Sequence, residues 1–222
     1  MMLAPPVPNS TPNDEFGREG SDAVAAAQVL QHADLIVVAG VPGAGKSTAL
    51  RVAARTTRWR ILDPDVERAW FGRHLPKGTP YRLYRPLVHV LHHLVLLSVL
   101  LRGPARLRAA GRDRLLVHEP GTRTLRRVLL ARLAAARGWR AALLLVEVSR
   151  TEALAGQHAR HRVLKAGAFE RHWRRWVRLR ERGLPALRAD VGWMSVALVA
   201  RAEAPGVLDA LDERAPETPS SR

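Results

Sequence analysis

One stretch constrains this chain more than any other: Gly40-Val41-Pro42-Gly43-Ala44-Gly45-Lys46-Ser47, a full G-x-x-x-x-G-K-[ST] match. It follows an apolar run, Leu35-Ile36-Val37-Val38-Ala39, and precedes a helix-compatible run, Thr48–Arg55. A strand, a glycine-rich turn and a helix in that order aim successive backbone N–H groups and a helix N-terminus at one anion. Gly40, Gly43 and Gly45 supply the backbone freedom for the curl. In that geometry Lys46 reaches the β- and γ-phosphates of a nucleoside triphosphate, and the Ser47 hydroxyl binds Mg²⁺. The loop from Gly40 to Ser47, with Thr48 behind it, is therefore the expected site for ATP and Mg²⁺.

The 222 residues suffice for one α/β domain with a real core. The absence of cysteine excludes a disulfide framework and a thiolate metal site. Residues 1–20 are polar and proline-rich, without a charged-then-apolar signal pattern, and read as a disordered tail on a cytoplasmic protein. The expected domain runs over 21–214, with a lid at about 156–183 and a second tail over 215–222.

The formal net charge is +16 and the sequence pI near 11.6, which admits a phosphate-rich partner, nucleotide or nucleic acid. The excess is almost all arginine and sits in Arg102–Arg140 and Arg150–Arg188. Arginines outside the motifs serve equally as solvated helix faces.

Further along, Arg60-Ile61-Leu62 reads as a strand stopped by Asp63-Pro64-Asp65. In a parallel sheet that tip shares an edge with the phosphate loop. Asp65 is then the leading acid facing the transferred phosphate and the metal, with Asp63 beside the acceptor; the same pair would also cap a helix over Val66–Gly72. Pro86–Leu101 is apolar but for His89, His92, His93 and Ser98, and reads as a buried helix too short to span a membrane. His89 and His93 at i, i+4 could hold a metal, but no neighbouring carboxylate completes such a site. Leu115–Glu119 is an apolar strand tipped by an acid, followed by Pro120-Gly121-Thr122-Arg123. Glu119, Thr122 and Arg123 are expected near the acceptor, with Thr122 alternatively capping the helix from Leu125.

Ala141–Val148 is a fourth strand, fit for burial on both faces. The Arg-rich stretch after it, split at Gly167 into two helical arms, is placed where a lid would bring cations to the phosphates and exclude water. Trp173 and Trp176 are expected to pack the lid helix. Met194–Ala200 is a fifth strand, Arg201–Gly206 passes the expected adenine edge, and Pro205–Arg214 closes the domain.

Together these motifs resemble the P-loop kinases of the zeta-toxin and polynucleotide-kinase-like group, especially AAA-type ATP-binding proteins common in actinobacteria. The likeness rests on G-V-P-G-A-G-K-S, Leu62-Asp63-Pro64-Asp65, His118–Arg123 and the stretch Gly156–Trp176. It implies a three-layer αβα sandwich around a five-stranded parallel sheet in order 2-3-1-4-5, with a helical Arg-rich lid. It implies that Asp65 accepts the proton of an acceptor hydroxyl, beside Lys46. It further implies that arginines among Arg160, Arg162, Arg171 and Arg174 clamp the triphosphate. His158 and His161 depart from the Arg and Gly of similar lids. The reading that follows is an ATP-dependent kinase acting on a small-molecule or nucleotide hydroxyl, with no membrane partner. Its alternatives are a nucleic-acid-binding NTPase, a kinase of nucleic-acid ends, or a nucleotide-binding regulator without turnover.

Overall fold

The computed structural model describes residues 23–160, 163–188 and 192–213. The elements run α1 (Ala23–Leu30), β1 (Leu35–Ala39), α2 (Lys46–Ala53), β2 (Trp59–Leu62), α3 (Pro64–His74), α4 (Tyr81–Ala109) and β3 (Arg114–Glu119). They continue with α5 (Thr124–Ala136), β4 (Ala141–Glu147), α6 (Arg150–His158), α7 (Ala166–Glu181), α8 (Gly183–Arg188), β5 (Trp193–Ala200) and α9 (Ala204–Glu213). The tails, including Ser21 and Asp22, and His161 and Arg162 lie outside the described residues.

All five strands pair in parallel, in the order β2-β3-β1-β4-β5. The expected sheet order is thus the observed one. β1 is central and wholly buried, which is why it reads as an unbroken apolar run. Right-handed crossovers place α1, α2 and α9 together on one face and α3, α4 and α5 on the other. Arg114 anchors α1 from β3: its guanidinium donates to the carbonyls of Ala33 (2.9 Å) and Gln31 (2.8 Å), beyond the C-terminal end of that helix.

Register decides which side chains meet at the carboxyl edge. Ala39 pairs with Glu119, and Leu62 pairs with Val117. The residue after Leu62, Asp63, therefore comes level with His118, and both lie beside the phosphate loop that leaves Ala39.

Three expectations about helices need correction. The lid is not split at Gly167, which sits in the first turn of α7; the break lies between His158 and Ala166. Gln157 contributes to that break by accepting the Leu164 amide at 3.0 Å on its side-chain oxygen. α4 is 29 residues long, with non-helical dihedrals at Gly103, and it is not a buried helix. It buries Val88, His92, Leu96, Val99 and Leu100 and leaves the opposite face open. It is also long and apolar enough to cross a bilayer, against the expectation of a run too short to do so. α7 packs as expected of its tryptophans: Trp176 is buried and Trp173 lies against the core. An ion pair from Arg180 to Glu147 ties α7 to the tip of β4.

Candidate nucleotide and acceptor site

The loop between β1 and α2 is held open by glycine where side chains have no room. At Gly45 φ is 90°, and at Gly43, where φ is 93°, a Cβ would stand 1.9 Å from the Ala153 carbonyl oxygen. α6 sits against the same loop: a Cβ on Gly156 would fall 2.4 Å from the Gly43 oxygen. Gln157, buried beside it, donates its side-chain amide to the Pro42 carbonyl at 3.3 Å. The Gly156-Gln157 pair thus braces the loop from behind. No side chain caps α2, which leaves the N-terminus of that helix, at Lys46 and Ser47, as an anion site at the loop.

Lys46 is buried and folds onto the loop, its ammonium donating to the carbonyls of Gly40 (2.7 Å) and Val41 (2.9 Å). Burial lowers its pKa from 10.5 to about 7, against the pull of Asp63 and Glu119 and with the push of Arg160. An anion in the loop would reverse that balance.

Asp63 caps α3, accepting the Asp65 amide at 2.9 Å, so the capping alternative holds for Asp63. Its carboxylate also meets His118 Nδ1 at 3.0 Å. Burial alone would raise the Asp63 pKa. The hydrogen bond and charge of His118, the Asp65 amide and the Ser47 hydroxyl together bring it down to about 2. An ionised Asp63 only accepts, so His118 carries its proton on Nδ1. Burial lowers the pKa of His118 itself, more than Asp63 raises it. Ser47 Oγ stands 3.5 Å from the same nitrogen. Ser47, Asp63 and His118 therefore form one cluster at the edge of the loop. Asp65, in the first turn of α3, joins Ser47 and Asp63 along a cavity of about 790 Å³. Arg51, Arg73 and Arg160 line that cavity too.

Glu119 is buried behind Lys46 and pairs with Arg126; His93 of α4 stands 4.0 Å away. Burial raises its pKa and Arg126 opposes the rise. Thr122 does not cap α5, whose N-cap Arg123 makes no side-chain cap bond either. The Thr122 hydroxyl instead meets His172 of α7 at 3.3 Å. His172 has its pKa lowered by burial, then by Arg175, Lys46, Arg123 and Arg171. That places Arg123, Arg171 and Arg175 around the same corner as the loop lysine. Arg160 reaches the loop helix directly, donating to Thr48 Oγ1 at 2.6 Å, where Arg51 also arrives at 3.3 Å. Arg174 is exposed on α7. Arg201, after β5, packs its aliphatic stem where a Cβ on Gly45 would be, 3.1 Å away.

Sequence reasoning singled out Asp63, Asp65, Glu119, Thr122, Arg123, Arg160 and Arg171, and the structure brings these to one edge of the sheet. It did not single out His118, His172, Gln157 or Arg175. Only His118 carried a usable signal, since it precedes the acid at a strand tip. Among the described residues no cluster of three or more His, Asp or Glu could hold a metal on its own. The pair His89 and His93 is not a site: the His93 ring bonds the His89 carbonyl and Arg126. Ser47 and Asp63 are hard oxygen donors, and this pair suits Mg²⁺ that takes its remaining ligands from phosphate and water.

A parallel 2-3-1-4-5 sheet with this loop at its carboxyl edge defines a P-loop protein of the kinase type. The chain matches the AAA domain family, AAA_33, over residues 35–182, and belongs to it. Among solved structures it is similar to a chain of the PezAT chromosomal toxin-antitoxin system of Streptococcus pneumoniae, at 13% identity and a TM-score of 0.51. That match covers 87% of this chain and 79% of the other. It is similar to Kti12 of Chaetomium thermophilum, solved with ADP-AlF₃, at 16% identity and a TM-score of 0.50, covering 81% and 97% of the two chains. At such identities the likeness is one of fold. No curated protein matches the chain.

Proposed function

We propose that the chain is an ATP-dependent phosphotransferase that passes the γ-phosphate to a hydroxyl of a small-molecule or nucleotide acceptor. One observation carries this reading. The 790 Å³ cavity joins Ser47 of the phosphate loop to Asp63 and Asp65 on one wall and Arg160 on another. A pure hydrolase needs no such acid-lined chamber next to the loop. That the similar Kti12 was solved with ADP-AlF₃ supports a nucleotide in the loop.

The residues divide the work as follows. The loop amides and Lys46 hold the β- and γ-phosphates. Ser47 and Asp63 would hold Mg²⁺, which would supply charge neutralisation to the triphosphate when bound. His118 fixes the Asp63 carboxylate and keeps it ionised. Asp65 lines the same cavity as Ser47 and Asp63, and it accepts the proton of the acceptor hydroxyl as that oxygen attacks phosphorus and the bond from phosphorus to the ADP oxygen breaks. Arg160, Arg171 and Arg175 are assigned to spread over the oxygens of the transferred group, with Arg162 and Arg174 as further candidates from the same stretch. Thr122, Arg123 and Glu119 flank the acceptor side, with Glu119 held by Arg126.

The test is ADP formation by the purified protein with ATP and Mg²⁺, alone and with pools of small-molecule, nucleotide and oligonucleotide acceptors. Acceptor-dependent turnover is expected. Steady hydrolysis that no acceptor accelerates would refute the reading. Acceleration by the oligonucleotide pool alone would move the assignment to a kinase of nucleic-acid ends.

A further inference from the structure

α4 carries two apolar faces, and the domain uses only one. Val88, His92, Leu96 and Val99 face the sheet and α3. On the other side stand Leu83, Leu87, Val90, Leu94, Leu97 and Leu101, spaced 4-3-4-3-4 along the helix. Every one is 42% to 66% exposed, and together they are the exposed large apolar residues of that helix. This is a heptad seam whose repeat of 3.5 residues matches a second helix lying alongside. At 1.5 Å per residue it runs for about 27 Å, the span of a helix of roughly 20 residues.

The seam continues onto α5. Leu125 and Leu129 are exposed by 72% and 56%, and between the two helices lies a groove of about 330 Å³. Leu96, Leu97, Leu100, Leu130 and Leu133 line its apolar floor and walls. His93, Arg123 and Arg126 stand at its polar margin.

The charge around this surface has one sign. Neither α4 nor α5 contains an acidic residue. Arg82 and Arg85 mark one end of the seam and Arg102 the other, while Arg132 flanks it from α5. A second copy of the chain would bring the same arginines against these, with no acid on either helix to meet them. A bilayer suits a broad apolar face better than a one-seam stripe with heptad spacing. We infer that this surface docks an amphipathic helix of another protein, one with an apolar heptad seam and acidic flanks. Leucines of the partner enter the α4–α5 groove and its carboxylates meet the flanking arginines.

The test uses the full chain and a displayed library of helices about 20 residues long. The library has Leu at every a and d position and Glu or Lys randomised at the flanks. Selection on the wild-type protein is expected to enrich binders with Glu flanks. Their affinity should fall at least about tenfold in the exposed-site variant Leu87→Gln/Leu94→Gln/Leu97→Gln. Arg102→Glu/Arg132→Glu should turn the selection toward Lys. These residues are exposed, so the variants should keep the wild-type melting temperature. No enrichment, enrichment without flank preference, or binding retained by the triple variant would overturn the assignment. So would a dimer seen in sedimentation, or adhesion to phosphatidylcholine–phosphatidylserine vesicles, that the triple variant loses while no helix is selected.

Discussion

Burial of Lys46 has a thermodynamic consequence that can be measured without any ligand. The pKa falls from 10.5 to about 7 in the folded protein. Between those values the unfolded chain holds a proton that the folded chain has released. Stability must therefore rise with pH through that window and be flat, with the full penalty, below pH 7. At about 1.4 kcal/mol per unit, the complete shift is worth about 5 kcal/mol, and the part between pH 7 and 9, which starts from a half-titrated group, about 2 kcal/mol. Lys46→Met keeps the aliphatic stem and removes the titration. It also removes the bonds to Gly40 and Val41, a loss of roughly 1 kcal/mol each that does not vary with pH. Urea denaturation of both proteins, in buffers without phosphate, should show wild type gaining about 2 kcal/mol on the variant from pH 7 to 9. Parallel curves would refute the buried, destabilised ammonium. The same balance predicts that ATP, by restoring the charge on Lys46, takes up close to one proton at about pH 8. Calorimetry in buffers of different ionisation enthalpy reads that number.

Other consequences are local. Asp63, with its pKa lowered from 3.8 to about 2, contributes stability that is complete above pH 3.8 and lost as pH falls through about 2. Acid denaturation of wild type against Asp63→Asn should show the difference shrinking by about 2 kcal/mol across that range; a constant difference would mean that His118 does not hold the carboxylate. Gly156→Ala should destabilise by roughly 1–3 kcal/mol and weaken nucleotide binding, because its Cβ meets the Gly43 oxygen at 2.4 Å. Gly167→Ala meets nothing closer than an Arg171 nitrogen at 3.7 Å and should be neutral or stabilising in a thermal melt. Equal losses in both would contradict the bracing role of α6.

How much of this was legible in the sequence follows from how far apart the partners are. The phosphate loop announced itself because its backbone demands glycine at fixed spacing within one short stretch. The acids after β2 and β3 could be placed at one edge because proline ends the first strand and a buried parallel sheet fixes that edge. The contact of Asp63 with His118 depends on the register of β2 against β3. That of Thr122 with His172 joins the loop after β3 to α7 across 50 residues, and no local pattern encodes it. The lid break is misplaced in the sequence because Gly167, inside the Arg-rich helical stretch, reads as its breaker. A helix tolerates glycine in its first turn, and the true break contains neither glycine nor proline. The outer face of α4 was missed because a helix with apolar residues on both sides reads as buried. Only its neighbours reveal that one side is left exposed among the described residues.

The account turns on a division of labour between two acids two residues apart: Asp63 holds the site and Asp65 takes the proton. Transfer of labelled γ-phosphate from ATP to the responding acceptor pool, in wild type, Asp63→Asn and Asp65→Asn, tests it most directly. Asp65→Asn should bind ATP as wild type does and transfer on the order of 100-fold or more slowly. Transfer at the wild-type rate by Asp65→Asn, or loss of ATP binding in that variant, would contradict the assignment.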